Sequence, residues 1–418
     1  MNSSIIKAAL AYILSSFSVQ GVAFITQLLL MRWFTVAEYG KYALAFEALA
    51  VCNLIINGAF RNFYLKEIRN GKSFNILLPY QLIYGTFWCS LSGVIISILF
   101  KMDISVCISI CASMVLSSLF LPISMEFLAK GYKWRLIFRD VLNATATLLV
   151  SFSLIKLSFS DAKPYIWAIL ISQVVVNFIA FFKLNLLKDF FCFENIKKIE
   201  ISIIPFFGVF IVNTIYNKIG ISYVNYFLGI ESVALYLAVF KFITPFYSIQ
   251  AALISAVMPK FTSEQRFRFD LKFFSFFAFP GALASLFLIL FFPYIISLFS
   301  LVKFTGLYYL MIYSAPVIFV VFIYGALSNY IAVNGGQKYI IMTNAVGASF
   351  YIILLLICHV LFKSADMLVY TITLFVITEC VVCILYYYKI KKENFISYSF
   401  LISPLIIIGY ELITLLFK

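Results

Sequence analysis

The chain has 418 residues, 64% hydrophobic and 11% charged, with a net charge of +14 and a mean hydropathy of +1.05. Soluble domains are about half apolar and a quarter charged, so too little polar surface is present here to cover a water-exposed globule. Lipid admits only helices or closed barrels, and unbroken apolar runs of about 20 residues fit helices spanning ~30 Å of hydrocarbon, not ten-residue barrel strands.

The spacing predicts spans near 8–31, 42–60, 77–100, 104–128, 137–157, 164–184, 201–228, 233–257, 273–299, 307–331, 339–361 and 367–388. The first follows Lys7 and is longer than a signal-peptide core. No small-x-small cleavage site precedes Arg32, so it reads as a retained span. A further apolar stretch over 398–416 is either an extra span or a surface-lying helix. Cys52, Cys89, Cys107, Cys111 and Cys358 sit inside apolar runs, as does the Cys380-x-x-Cys383 pair, and they read as small buried hydrophobes.

Basic residues concentrate in alternate loops, around Arg61/Lys66/Arg69/Lys72, Lys130/Lys133/Arg135/Arg139, Lys183/Lys188/Lys197/Lys198, Lys260/Arg266/Arg268/Lys272 and Lys389/Lys391/Lys392. The richer side faces the cytoplasm, which places the N-terminus inside. The net positive charge thus flanks spans, without a separate basic domain for nucleic acid.

Two halves of six spans are suggested by an internal echo. Tyr42-x-x-x-Phe46 after span 1 matches Tyr236-x-x-x-Phe240 after span 7, and Leu128–Trp134 after span 4 matches Ile331–Tyr339 after span 10. Such a parallel repeat predicts a site at the seam between halves. The fold class expected is all-α, a polytopic integral membrane protein of about twelve transmembrane helices in two six-helix lobes. The lobes would be residues 1–190 and 191–392, with 393–418 as an additional segment.

A charge near the bilayer centre costs roughly 2.5–3.5 kcal/mol on insertion scales and usually faces a cavity or a partner. Lys218 and Lys241 survive that filter, at a depth of about 12–15 Å by helical rise. Span 7 carries a polar face of Thr214, Lys218, Ser222 and Asn225, with Asn217 beside it, and span 1 carries Ser16, Gln20 and Gln27. Polar stripes on spans 1 and 7 are expected of helices lining a shared cleft. Glu47, Glu126, Asp140 and Glu379 are the acids nearest or inside spans and are candidates for ion coupling. Asp140 adjoins Arg139 and Glu126 lies near Lys130, which favours structural pairing for both, whereas Glu379, about 18 Å into its span, has no evident partner. Pro122, Pro245, Pro280 and Pro316 can kink their helices, and His359 near the end of span 11 reads as structural.

The Trp33–Tyr42 loop, with Glu38-Tyr39-Gly40-Lys41-Tyr42, resembles the Glu-Tyr-Gly-x-Tyr signature of polysaccharide-export flippases. Leu228–Tyr236 and the Lys130-Gly131-Tyr132-Lys133 turn are similar to their counterparts in that family. By order and spacing the chain resembles the O-antigen translocase (Wzx-type) branch of the multidrug/oligosaccharidyl-lipid/polysaccharide (MOP) superfamily. The resemblance implies a flippase of the bacterial inner membrane that carries undecaprenyl-diphosphate-linked oligosaccharide by alternating access. No cofactor is implied beyond a coupled H+ or Na+ gradient, and partners would include polysaccharide polymerase and chain-length machinery. Lys218 and Lys241 would then bind the anionic head group, with Arg61 at the inner mouth, since a lysine offers a point charge to a phosphate. Pairing of Lys241 with Glu47 is the structural alternative. The 398–416 stretch departs from the family's usual twelve spans. A drug exporter of the same superfamily would share the fold. A membrane-embedded polymerase or ligase would need a large outer loop, and the predicted outer loops run to only about ten residues, so an enzyme is not expected.

Overall fold

A backbone in lipid has to hydrogen-bond within its own segment, and helix is the outcome at each predicted span within the described residues. The computed structural model describes residues 3–69, 81–129, 133–182, 196–263, 268–362, 366–392 and 394–416. The first six spans are α1 (Ser3–Trp33), α2 (Val36–Arg69), α3 (Thr86–Leu99, entered through a π turn at Gln81–Gly85), α4 (Ile104–Ala129), α5 (Lys133–Lys156) and α6 (Lys163–Phe182). The rest are α7 (Ile196–Phe227), α8 (Ile230–Ser263), α9 (Leu271–Leu298), α10 (Leu307–Ser314), α11 (Pro316–Val333), α12 (Gln337–Leu361), α13 (Met367–Lys391) and α14 (Ser399–Leu416). Among the described residues seven helices are long and apolar enough to cross a membrane. The only strand-like pairing among them is a bridge between Phe269 and Ile396.

The tenth span is divided between α10 and α11, and the cause is local. Pro316 has no N–H to give and its ring crowds the preceding turn, so the helix stops at Ser314 and restarts at the proline. The Ser285 hydroxyl of α9 donates to the Ala315 carbonyl at 2.8 Å, satisfying an acceptor at the break. Pro280 and Pro293 are accommodated inside α9 without a break.

The chain divides into two compact units, Ser18–Thr214 and Met1–Phe17 with Ile215–Lys418. In the first, α2 and α3 pack on α4, and α6 packs on α4 and α5. Helices in lipid gain no hydrophobic drive from one another and associate through close packing and polar contacts. Gly93 of α3 lets the Cys111 side chain of α4 approach, and Gln81 donates to Ser118. At one end, Glu38, in the first turn of α2 where the Glu-Tyr-Gly-x-Tyr segment expected as a loop is helical, ties several elements together. Its carboxylate pairs with Lys41 at 2.6 Å and accepts from the Ala162 backbone N–H at 2.9 Å, ahead of α6. The Trp33 indole donates to the Phe159 carbonyl at 2.7 Å. That motif therefore fastens helix ends.

In the second unit α13 is the central post, with 83% of its span buried, flanked by α11, α12 and α14. Gly281 of α9 seats against Phe322 and Phe319 of α11, and Gly347 of α12 against Val382 and Tyr216. The start of α14 is pinned by the bridge, in which Phe269 N–H donates to Phe395 O at 3.0 Å and Ser397 N–H to Phe269 O at 2.8 Å. The Asn394 amide adds a bond to the Tyr330 hydroxyl at 3.0 Å. Gly229, at φ +85°, makes the tight turn from α7 into α8, a conformation that suits glycine. The echoed aromatic pair is formed once in each unit, Tyr42 on Phe46 at 6.3 Å and Tyr236 on Phe240 at 4.8 Å.

Candidate functional site

The first unit holds a cavity of about 370 Å³ bounded by α1, α2, α5 and α6. On α5, Asp140, Asn143, Ala144 and Thr147 reach it, which is the i, i+3, i+4, i+7 spacing of one helical face. From α1 come Thr26 and Gln27, from α6 Gln173, and from α2 Asn53 with the rings of Tyr42 and Phe46. Val19, Ala23, Leu49, Ala50 and Ile169 supply the apolar remainder.

The cavity's charge is largely cancelled locally. Arg139 holds Asp140 through two bonds to the same oxygen, from Nε at 3.0 Å and from Nη2 at 2.7 Å. What remains is amide and hydroxyl chemistry. The Tyr39 hydroxyl donates to Gln27 Oε1 at 3.2 Å and orients that amide. The buried oxygens Asn143 Oδ1 and Gln173 Oε1 have no hydrogen-bond partner among the described residues. Most buried polar atoms in folded proteins are partnered, so two idle acceptors beside one cavity are positions to which a guest or water can bring donors. Either amide can turn its NH2 inward instead, so each position can accept or donate.

The sequence-predicted residues are distributed over both units. Gln27 and Asp140 line the cavity; Gln20 is half-buried on α1 and is not part of the lining. Glu47 is buried within α2, near Tyr39, and is likewise not part of the lining. Thr214 is buried with its hydroxyl unpartnered. Lys218 on α7 and Lys241 on α8 are both half-buried, as are Asn217 and Asn225. Ser222 is exposed and spends its hydroxyl on the Lys218 carbonyl at 3.0 Å, within its own helix. The side chains of Arg61 on α2 and Glu126 on α4 lie outside the described residues, as does the Lys130–Tyr132 turn. His359 shares a 2.8 Å hydrogen bond with the Tyr223 hydroxyl and packs on Phe227, an end-of-helix aromatic clasp.

Glu379 is sealed inside the second unit, 1% exposed, with Tyr216 of α7 and Tyr324 of α11 beside its carboxyl and Oε2 left without a hydrogen bond. Sequence reading missed Asn53, Asn143, Thr147 and Gln173. The signal for two of them was present in the α5 stripe, which starts at the already noted Asp140.

No family model matches the chain, and no curated protein matches its sequence. Solved structures do. A lipid II flippase, MurJ, in an inward closed conformation, superposes with a TM-score of 0.70 at 14% identity, over 96% of this chain and 91% of that one. An inward-facing multidrug-resistance MATE family transporter of the MOP superfamily gives 0.67 at 12% identity, over 90% and 96%. An outward-facing multidrug-resistance MATE family transporter of the MOP superfamily gives 0.56 at 14%, over 91% and 95%. The chain has the fold of MOP-superfamily transporters. This fold agrees with the expected polytopic all-α class of about twelve spans in two lobes, and α14 is the addition foreseen at 398–416.

Proposed function

We propose that the chain is an O-antigen translocase. It moves undecaprenyl-diphosphate-linked oligosaccharide from the cytoplasmic to the periplasmic leaflet of the bacterial inner membrane by alternating access, with the N-terminus in the cytoplasm and an H+ or Na+ gradient as the drive. The observation that carries this reading is the neutral, amide-rich cavity of the first unit. Its idle acceptors at Asn143 and Gln173 suit hydroxyl donors, and its Tyr42 and Phe46 rings suit the apolar faces of a sugar. A cationic drug would call instead for an unpaired acid, and the acid lining this cavity is held by Arg139. The full-length likeness to a lipid II flippase supports a lipid-linked cargo. Lys218 and Lys241 meet the anionic head group, with Arg61 at the inner mouth, and Asp140, Glu47, Glu126 and Glu379 are the carboxyls available for coupling.

The test is reconstitution of the full chain in liposomes with a fluorescent short-chain polyprenyl-diphosphate oligosaccharide and an impermeant quencher. Translocation should depend on the protein and be abolished by Lys218→Glu at unchanged protein level. Unimpaired movement in that variant removes Lys218 from the site. Extrusion of a cationic dye with no movement of the lipid-linked sugar would replace the flippase by a drug exporter.

A further inference from the structure

The helix beyond the twelve-span plan carries a carboxyl into the protein interior. Glu411 of α14 is 0% exposed, and neither of its oxygens makes a hydrogen bond among the described residues. Facing it across the α13–α14 contact is the Thr373 hydroxyl, near enough to interact yet completing no bond, and itself without any other partner. The other threonines of α13 behave differently. Thr371 and Thr378 both donate to the carbonyl four residues back, at 2.7 Å each. Thr373 is thus the one of the three whose hydroxyl is held in reserve.

The surroundings of Glu411 contain no cation among the described residues. Its electrostatic neighbours are Tyr410 on its own helix, Tyr313 of α10 and the Cys380 thiol of α13, with Tyr309 bonded to Tyr313 behind. Neither α9 nor α11, which also touch α14, brings a titratable group against it. Thr373 and Cys380, seven residues apart, share one face of α13, and Glu379 stands about 100° round the helix from Cys380. Two buried acids therefore flank α13 on different faces, Glu411 toward α14 and Glu379 toward the tyrosines of α7 and α11.

A lone carboxylate in such a place would carry a prohibitive desolvation cost, so the group is held as the neutral acid. That acid is then an O–H donor with no acceptor and a carbonyl acceptor with no donor, which leaves a penalty unrelieved in this conformation. We propose that Glu411, with Thr373, forms a proton-exchange site on the α13–α14 contact, releasing its carboxyl proton to water as the carboxylate forms and recovering it when the site closes. In this role α14 is a working part of the second unit, held in register by the Phe269–Ile396 bridge, and the site stands whichever cargo is carried.

Infrared spectroscopy of the full chain in lipid, in H2O and D2O, reads the carbonyl stretch of protonated carboxyls without any cargo. At neutral pH we expect a protonated-carboxyl band that shifts on transfer to D2O and loses one carboxyl's intensity in Glu411→Gln. Thr373→Val should move the frequency of that component without removing it, which assigns the band even if Glu411→Gln fails to fold. An unaltered band in both variants means that Glu411 is a carboxylate and the proposal is wrong. A component lost in Glu411→Gln but indifferent to D2O means a sealed structural acid, which overturns it equally. Either failure leaves the flippase reading intact, and loss of flipping activity leaves this site intact.

Discussion

Helices α5 and α13 are opposites within one chain. Only 6% of the α5 span is buried, against 83% of the α13 span. Both carry polar residues, yet the environments differ. Asp140, Asn143 and Thr147 of α5 border a cavity where their groups can meet a guest, whereas Thr373 and Glu379 of α13 are enclosed by protein. A polar atom left idle beside open space is a recognition element, because the missing partner can arrive. One left idle in a sealed core is a store of unrelieved free energy, released only when the core rearranges. The two helices thus leave polar atoms idle in different surroundings, one bordering open space and one closed.

The largest expected effect tests whether the second unit is dry. Glu379→Lys puts an uncompensated ammonium among Tyr216, Tyr324 and their neighbours, and breaking a buried arrangement in this way costs about 3–5 kcal/mol. Asp140→Lys, at the edge of the cavity, disturbs a partly exposed ion pair whose worth is about 0–1 kcal/mol. Thermal unfolding of the two variants in detergent should therefore separate clearly, with Glu379→Lys far lower. Equal midpoints would mean that water reaches α13 and that the contrast drawn above is false.

A second comparison sets amide against amide. Gln250 of α8 donates to the Val321 carbonyl at 3.0 Å in a gap left open by Gly325, so its amide is engaged within the protein. Gln250→Leu should lower stability by about 1–3 kcal/mol, since it strands a buried acceptor. Asn143→Leu removes an acceptor that was already idle, so stability should hold within about 0.5 kcal/mol or rise. On the proposed function its cost falls on transport, where one lost cargo hydrogen bond of about 1.4 kcal/mol should lower the rate roughly tenfold at limiting cargo. A stability loss in Asn143→Leu with normal transport would make the cavity a structural void.

Hydropathy made the helices legible. The span expected at 339–361 is the helix Gln337–Leu361, that at 104–128 is Ile104–Ala129, and Pro316 marks the division between α10 and α11. The site was legible only in part. Gln27 and Asp140 stood out as polar groups on apolar helices, but Gln173 and Asn53 are single amides whose role depends on which neighbouring helix they face. That is a tertiary fact, set by packing between α2, α5 and α6, and helical period does not encode it. Glu411 is a charge inside the apolar 398–416 run, as Lys218 is inside its own span, and the same insertion cost singles it out in the sequence.

The smallest effect lies at the rim of the first unit, where polarity is neither stored nor used. Lys163 at the start of α6 pairs with Asp103 at 2.7 Å, both side chains well exposed. The lysine holds the Asp103 carboxyl below its usual range, and the aspartate holds the Lys163 ammonium above its own. A lowered carboxyl gives stability that is present above the unfolded value near pH ~3.9 and is lost as pH falls through the folded value. A raised ammonium gives stability present below its unfolded value near ~10.4 and lost as pH rises through the folded one. The pair therefore helps only between those limits, and salt screens it. Unfolding midpoints of wild type and Asp103→Asn should differ slightly at neutral pH and low salt, and converge at acidic pH or in high salt. A difference that survives both conditions would show that Asp103 acts through packing or hydrogen bonds and not through charge.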